Sequence, residues 1–201
     1  MTDDKDEQPK PTGYFETLLG SQPPTDPTLL DEMTKAHFSE KHFAAIGRVA
    51  TQWAYFEAVI DSWLKTFAEL DWSVSVCFTA QMIGPRPRLD AFISLVRLRL
   101  ADAKKLGKWP GKLEAFAQDV TGLAEQRNRA VHDLWVMDDP FRPQRMEATA
   151  RRTVRLGYIH VSTDEMNALA VSISHLRIRF DYLAGEIFNV LHASPDRGAQ
   201  E

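Results

Sequence analysis

Hydrophobic residues recur at intervals of three and four along most of this chain, the spacing that places side chains on one face of an α-helix. We predict a first helix from about Ser39 to Glu69 and a second after the Gly84–Pro87 break. A third is predicted from near Lys112 towards Leu134, and a last one opens at a capping-box sequence, Ser162–Glu165. The stripe of the first helix consists of Phe43, Ile46, Val49, Trp53, Phe56, Ile60, Leu64 and Phe67.

The helical spacing stops after Trp135. Two turn-forming segments, 138–140 and 142–143, predict an irregular loop, and the β-compatible runs 146–149, 153–156 and 158–161 predict a small hairpin. The predicted fold class is therefore all-α, an antiparallel bundle of about four long helices with a small β-hairpin insertion before the last helix. We predict disordered tails at residues 1–28 and 195–201, and one helical domain at 29–194.

Composition agrees with a globular protein of the cytoplasm. The 201 residues, 44% hydrophobic and 26% charged, fit one domain with a substantial core. No apolar run approaches the ~20 residues that span a bilayer, and the polar start of the chain does not resemble a secretory signal, so we expect no membrane association. The single cysteine, Cys77, excludes an intrachain disulfide; its neighbours Val76 and Phe78 suggest a buried thiol in a reducing compartment.

The net charge of −4 arises entirely from the acidic segment 1–28, and acids and bases balance in the rest of the chain. Basic residues nevertheless concentrate in two segments, 86–108 and 142–155. Such clusters either attract polyanions such as RNA or form ordinary solvated faces, and the sequence leaves both open.

Two charged residues interrupt the apolar stripes. Arg127 follows Leu123 by four residues and precedes Val131 by four, so it occupies a position where the helix should face the core. Glu57 follows Trp53 by four residues and precedes Ile60 by three, so it occupies an inward position in the first helix. Because a buried unpaired charge is very costly, we predict that Glu57 and Arg127 meet between the two helices.

His132 adds a titratable group to this region. It follows Asn128 by four residues and therefore shares its face, whereas Arg127 lies about 140° around the helix with a side chain long enough to reach the same cleft. Arginine and histidine together bind phosphate and move a proton near neutral pH. The competing interpretation is structural: the Arg–Glu pair fixes how two helices pack, and His132 is favoured by the dipole at a helix C-terminus.

The segment Arg127-Asn128-Arg129-Ala130-Val131-His132 resembles the signature of the HEPN superfamily, an arginine, a polar residue and, a few residues later, a histidine on the penultimate long helix. The resemblance spans roughly residues 39–192. It implies a homodimer in which two motif helices face each other across a cleft. For active members it implies metal-independent RNA cleavage to a 2′,3′-cyclic phosphate and a 5′-hydroxyl, without a cofactor.

Carried onto this chain, the resemblance assigns His132 as general base on a ribose 2′-OH, Arg127 as the cation that stabilises charge on the phosphate, and Asn128 as an orienting residue. Glu57 would hold Arg127 in place, and Asp133 would either orient the imidazole or weaken the helix end. Arg129, inside the motif, joins them as a supporting residue.

Two functions follow from the resemblance. The first is an endoribonuclease acting as a toxin or a phage-defence component, with RNA as substrate and an antitoxin or other protein as a further partner. The second is a non-catalytic RNA- or protein-binding dimerisation module. A small-molecule or metal enzyme has no motif behind it, because no phosphate-binding glycine loop, nucleophile elbow or metal-ligand spacing occurs.

Overall fold

Five helices and three strands make up the part of the chain that the structure, a computed structural model, describes: residues 38–102, 104–139, 142–151 and 153–193. The elements in chain order are α1 Glu40–Ala68, α2 Trp72–Thr79, α3 Pro85–Asp102, α4 Trp109–His132, β1 Leu134–Asp139, β2 Arg142–Arg151, β3 Thr153–His160 and α5 Thr163–His192.

Polar side chains begin the two longest helices. Ser39 caps α1, since its hydroxyl oxygen accepts a hydrogen bond from the backbone N–H of His42 at 3.3 Å. The predicted capping box of α5 is present: the Ser162 hydroxyl accepts from the Glu165 N–H, and the Glu165 carboxylate accepts from the Ser162 N–H at 2.7 Å. The hydrogen bonds that the Glu165 carboxylate accepts from the backbone N–H and the hydroxyl of Ser162 hold its pKa below its usual value.

The core is a cluster of buried apolar side chains from the four long helices. Each contributes one phenylalanine to its centre, where the ring of Phe180 lies 6.2 Å from Phe56, 5.1 Å from Phe92 and 5.4 Å from Phe116. Interlocked aromatic rings fix the spacing and rotation of helices, because a shift of one ring displaces its neighbours. The core therefore gives α1 and α4, which carry the motif region, a fixed relative position.

The predicted helical content and the small antiparallel sheet before the last helix are confirmed, whereas the antiparallel four-helix bundle stays a prediction. The insertion is larger than the predicted hairpin: three strands pair in the order β1-β2-β3. The segment around residues 138–143, predicted as an irregular loop, includes the end of β1 and the start of β2. A register shift between Met137 and Asp139 accommodates the turn-forming residues there.

Two predicted burials are wrong. Phe43 is 46% exposed, while His42 and Ala45 are buried in its place at the start of α1. Cys77 is exposed, because it lies on α2, a short helix that presents most of its surface, including Trp72 and Phe78, to solvent.

No helix among the described residues is long and apolar enough to cross a bilayer. The predicted tails, 1–28 and 195–201, lie outside the described residues.

Candidate functional site

The motif lies at the C-terminal end of α4, where the chain changes from helix to strand. Asp133 ends the helix with an extended backbone, φ −68° and ψ 151°, and its N–H still donates to the carbonyl of Arg129. Leu134 then begins β1. The indole N–H of Trp135 donates to the carbonyl of Ala130 at 3.0 Å, so the start of the strand is hydrogen-bonded to the last turn of the helix. His132 is the last helical residue, and the hydrogen bond next to it holds the junction between α4 and β1 in place.

Arg127 contacts both Asn128 and His132 directly. Nη1 of Arg127 donates to Oδ1 of Asn128 at 2.9 Å and lies 3.1 Å from Nε2 of His132. Because a guanidinium is always protonated, Nε2 must supply the lone pair in this contact, which places the imidazole proton on Nδ1. The five-residue offset between Arg127 and His132 is thus spanned by the long arginine side chain.

The site is open on one side and buried on the other. The side chains of Asn128 and His132 are exposed, while Arg127 is half-buried. Nε of Arg127 is fully buried and has no hydrogen-bond partner among the described residues. The inner end of the guanidinium is therefore enclosed by the protein, while Nη1 contacts the exposed side chains of Asn128 and His132.

Trp53 of α1 lies where the sequence predicted a carboxylate. The guanidinium carbon of Arg127 is 5.9 Å from the centre of the Trp53 ring, within the range of a cation–π contact. The indole N–H of Trp53 donates to Oε1 of Glu57 at 3.1 Å. The predicted direct pairing of Glu57 with Arg127 is wrong: among the described ion pairs none joins these two, and Trp53 stands as the contact of both.

Arg129 and Asp133 belong to a separate cluster on the other side of the helix. The guanidinium of Arg129 forms an ion pair with Glu147 of β2. Arg145, also on β2, pairs with Glu147 at 2.6 Å and with Asp133 at 3.4 Å. Asp133 is therefore engaged by Arg145, and no described hydrogen bond links it to His132. The predicted alternative in which Asp133 orients the imidazole finds no contact in the structure.

This cluster changes the ionisation of Glu147. Burial alone raises the pKa of its carboxyl group, but hydrogen bonds and charge interactions with Arg129 and Arg145 outweigh burial and hold the pKa below its usual value. Glu147 thus stays ionised near neutral pH and fastens the middle strand of the sheet to the motif helix.

Sequence reasoning missed Trp53, Arg145 and Glu147 as residues around the motif. Trp53 was assigned only to the core, although its spacing of four residues from Glu57 already allowed a hydrogen bond along α1. Glu147 is the one acidic residue within β2 and β3, among several arginines, which is a signal for a specific pairing. The strand register that brings it to Arg129 was not readable from periodicity.

The arrangement supplies a cation, Arg127, within hydrogen-bond distance of both a proton acceptor, His132, and an amide, Asn128, at the surface. Within the described ranges, no group of three or more histidine, cysteine, aspartate or glutamate side chains is placed to hold a metal ion. Such a set fits a reaction in which a proton leaves a hydroxyl beside an anionic group.

Comparison of the chain with protein-family models, with curated proteins and with solved structures finds no match.

Proposed function

We propose that this protein is an endoribonuclease of HEPN type that acts in the cytoplasm and cleaves RNA by attack of a ribose 2′-OH on the adjacent phosphate. The observation that supports this most is the 3.1 Å contact between Nη1 of Arg127 and Nε2 of His132. The same Nη1 also donates to Oδ1 of Asn128. The contact with His132 places a phosphate-binding donor next to a proton acceptor, and a ribose 2′-OH is the nucleophile that lies beside a phosphate in RNA.

In this proposal, substrate replaces the contact between the two side chains. A phosphate oxygen accepts from Nη1 of Arg127, and the 2′-OH donates its proton to Nε2 of His132. The bond from O2′ to phosphorus forms as the bond from phosphorus to O5′ breaks, and the departing 5′ oxygen takes a proton from solvent. Arg127 offsets the negative charge that grows on the phosphoryl oxygens, and Asn128 keeps the guanidinium oriented. The products are a 2′,3′-cyclic phosphate and a 5′-hydroxyl.

The proposal includes a homodimer in which two copies of the motif helix face each other with RNA between them. The exposure of His132 and Asn128 is compatible with such a cleft. The dimer, a role as toxin or phage-defence component and an antitoxin partner rest on the sequence resemblance.

A second candidate function is a non-catalytic RNA- or protein-binding module. It is favoured by the internal contacts of Arg127, whose Nη1 is engaged by Asn128 and His132 and whose guanidinium contacts Trp53. A group with that many partners also serves to join two helices. The two candidate functions differ in whether His132 acts as a general base.

Cleavage of total cellular RNA in the presence of EDTA separates them. We expect the wild type to cleave, and His132→Ala to lose about 10²–10⁴-fold in rate while keeping its thermal stability, because the side chain is exposed. His175→Ala is the matched control: His175 is an exposed helical histidine on α5 and should not matter. Equal cleavage by wild type and His132→Ala would overturn the nuclease proposal, and absence of cleavage by every protein would favour the binding module.

A further inference from the structure

The guanidinium of Arg127 has contacts on one side that the proposed chemistry does not use. Its Nε is buried without a hydrogen-bond partner among the described residues, so neither a carboxylate nor a carbonyl fixes the plane of the group from within the protein. Asn128 and His132 both engage Nη1, at the outer end. Those two side chains are exposed, so by themselves they define the orientation of a long flexible side chain poorly.

The Trp53 ring is the buried surface against which this side chain rests. Its centre lies 5.9 Å from the guanidinium carbon, and only 3% of the residue is exposed. The face of an indole attracts a guanidinium more strongly than other aromatic faces do, and the attraction grows where water is excluded. A planar cation over a planar ring also restricts rotation about the last bonds of the arginine.

Two contacts fix the ring itself. The ring of Phe56 meets Trp53 edge-on at 5.6 Å, and the indole N–H donates to Oε1 of Glu57 at 3.1 Å. A hydrogen bond from the indole to a carboxylate shifts electron density into the ring, and this makes its face a better partner for a cation. Glu57 thus influences Arg127 through Trp53.

We propose that Trp53 is the positioning residue of this site: its face holds the Arg127 guanidinium at the height and tilt that direct Nη1 to Nε2 of His132, and Glu57 fixes the indole. The inference rests on the proposed function where it concerns cleavage. Its geometric part, that Trp53 orients Arg127, stands apart from any activity.

Trp53→Phe and Trp53→Leu test this in steps. The first keeps an aromatic face and loses the N–H to Glu57, while the second loses the face. Trp63→Phe is the matched control, because Trp63 lies ten residues further along α1 and its N–H also donates to a carboxylate, Asp181, at 2.7 Å. If Trp53→Leu does not fold, Trp53→Phe with the control carries the test.

The first readout is the NMR signal of the Arg127 side chain. Protons above an indole face are shifted upfield by its ring current, so the Arg127 Nε–H and Cδ protons should appear upfield in the wild type. The shift should shrink in Trp53→Phe, vanish in Trp53→Leu and persist in Trp63→Phe. Unchanged Arg127 signals in both Trp53 variants would overturn the proposal, whether or not the protein cleaves RNA.

The second readout is kinetic. We expect kcat to fall about tenfold in Trp53→Leu and less in Trp53→Phe, with KM changed little, because a misdirected guanidinium chiefly loses its contact with the transition state. Trp63→Phe should retain wild-type kcat. If kcat falls no further in Trp53→Phe than in Trp63→Phe, with both proteins folded, a positioning role for Trp53 is contradicted. If no protein cleaves RNA, the proposed function fails, and the NMR signals of Arg127 alone decide whether Trp53 positions the guanidinium.

Discussion

His42 is a buried imidazole with no hydrogen-bond partner on either ring nitrogen among the described residues. The ring of Phe38 stacks on it with 5.5 Å between ring centres, and the ring of Trp135 meets it in a T-shaped contact with 4.5 Å between ring centres. Burial lowers the pKa of His42, since a charged imidazole here would lose its hydration without gaining a partner. His42 therefore acts as an apolar ring that joins the start of α1 to the first strand.

This burial predicts a loss of stability on acidification. The unfolded chain binds a proton to His42 below about pH 6.5, whereas the folded chain does so only at lower pH, so the free energy of unfolding falls as pH drops below about 6.5. The slope from one such group is at most about 1.4 kcal/mol per pH unit. Urea unfolding between pH 7.5 and 5 should show a smaller decline in His42→Phe than in the wild type.

Removing an exposed histidine provides the control for this prediction. His175→Ala should keep the wild-type dependence on pH, because His175 lies at the surface of α5. The full wild-type decline in His42→Phe would show that another group is responsible.

At the residue scale, the sequence identifies which side chains interrupt a pattern but not which ones they touch. Arg127 stands out because it replaces an apolar residue in the stripe of α4, and His132 because of its spacing from Asn128. Glu57 stands out by the same logic, yet its contact is the indole N–H one turn earlier in its own helix. An apolar position is compatible with core packing and with a cation–π contact alike, so the sequence does not show that Trp53 contacts Arg127.

At the scale of elements, the sheet is fastened to the motif helix by charge. Arg129 of α4 and Arg145 of β2 converge on Glu147, and Arg145 also engages Asp133 at the end of α4. These side chains are only partly buried, so the network contributes modestly to global stability and mainly fixes the sheet against the helix end.

Glu147→Gln should loosen that attachment. The amide still accepts a hydrogen bond but no longer balances two arginines, so we expect a global loss below about 1 kcal/mol and faster hydrogen exchange in β2 and β3, with α5 unchanged. Because the pKa of Glu147 is lowered in the folded protein, the wild-type stabilisation is present above the unfolded value, about 4.5, and disappears as pH falls through the folded pKa. Hydrogen exchange followed by mass spectrometry measures the exchange rates of the strands and how they change with pH.

Glu125→Gln is the comparison for this change, since it neutralises an exposed carboxylate on the same helix. Equal exchange in the strands of the two variants would refute an attachment through Glu147.

The long helices were predictable because each has an apolar stripe at helical spacing and, in α1 and α5, a capping residue. The short α2 was missed: it is exposed on most sides and so shows no stripe. Proline and aspartate at the end of β1 and the start of β2 predict a loop, whereas the structure has strands there. The irregular register near Met137 tolerates these residues: Pro143, which has no N–H to give, lies opposite, and its carbonyl accepts from Nδ1 of His160 at 3.1 Å.

For the whole molecule, the aromatic core and the motif lie on the same helices. Phe56 of α1 and Phe116 of α4 meet Phe180 in the core. Trp53, three residues before Phe56, and Arg127, eleven residues after Phe116, contact each other between the same two helices. The separation of α1 from α4 set by the core therefore also sets the distance from the indole to the guanidinium. Sequence periodicity predicted the core face of each helix, but the contact between helices that builds the site required the packed structure.

We propose cleavage of RNA through the ribose 2′-OH, and this proposal can be tested on the substrate itself. The most direct test uses an RNA that the wild type cuts, with EDTA present, in which the nucleotide 5′ to the scissile bond is changed to 2′-deoxy. We expect that this bond alone becomes resistant, and that the unmodified RNA yields 2′,3′-cyclic phosphate and 5′-hydroxyl ends. Cleavage at the 2′-deoxy position, or products bearing a 5′-phosphate, would contradict it.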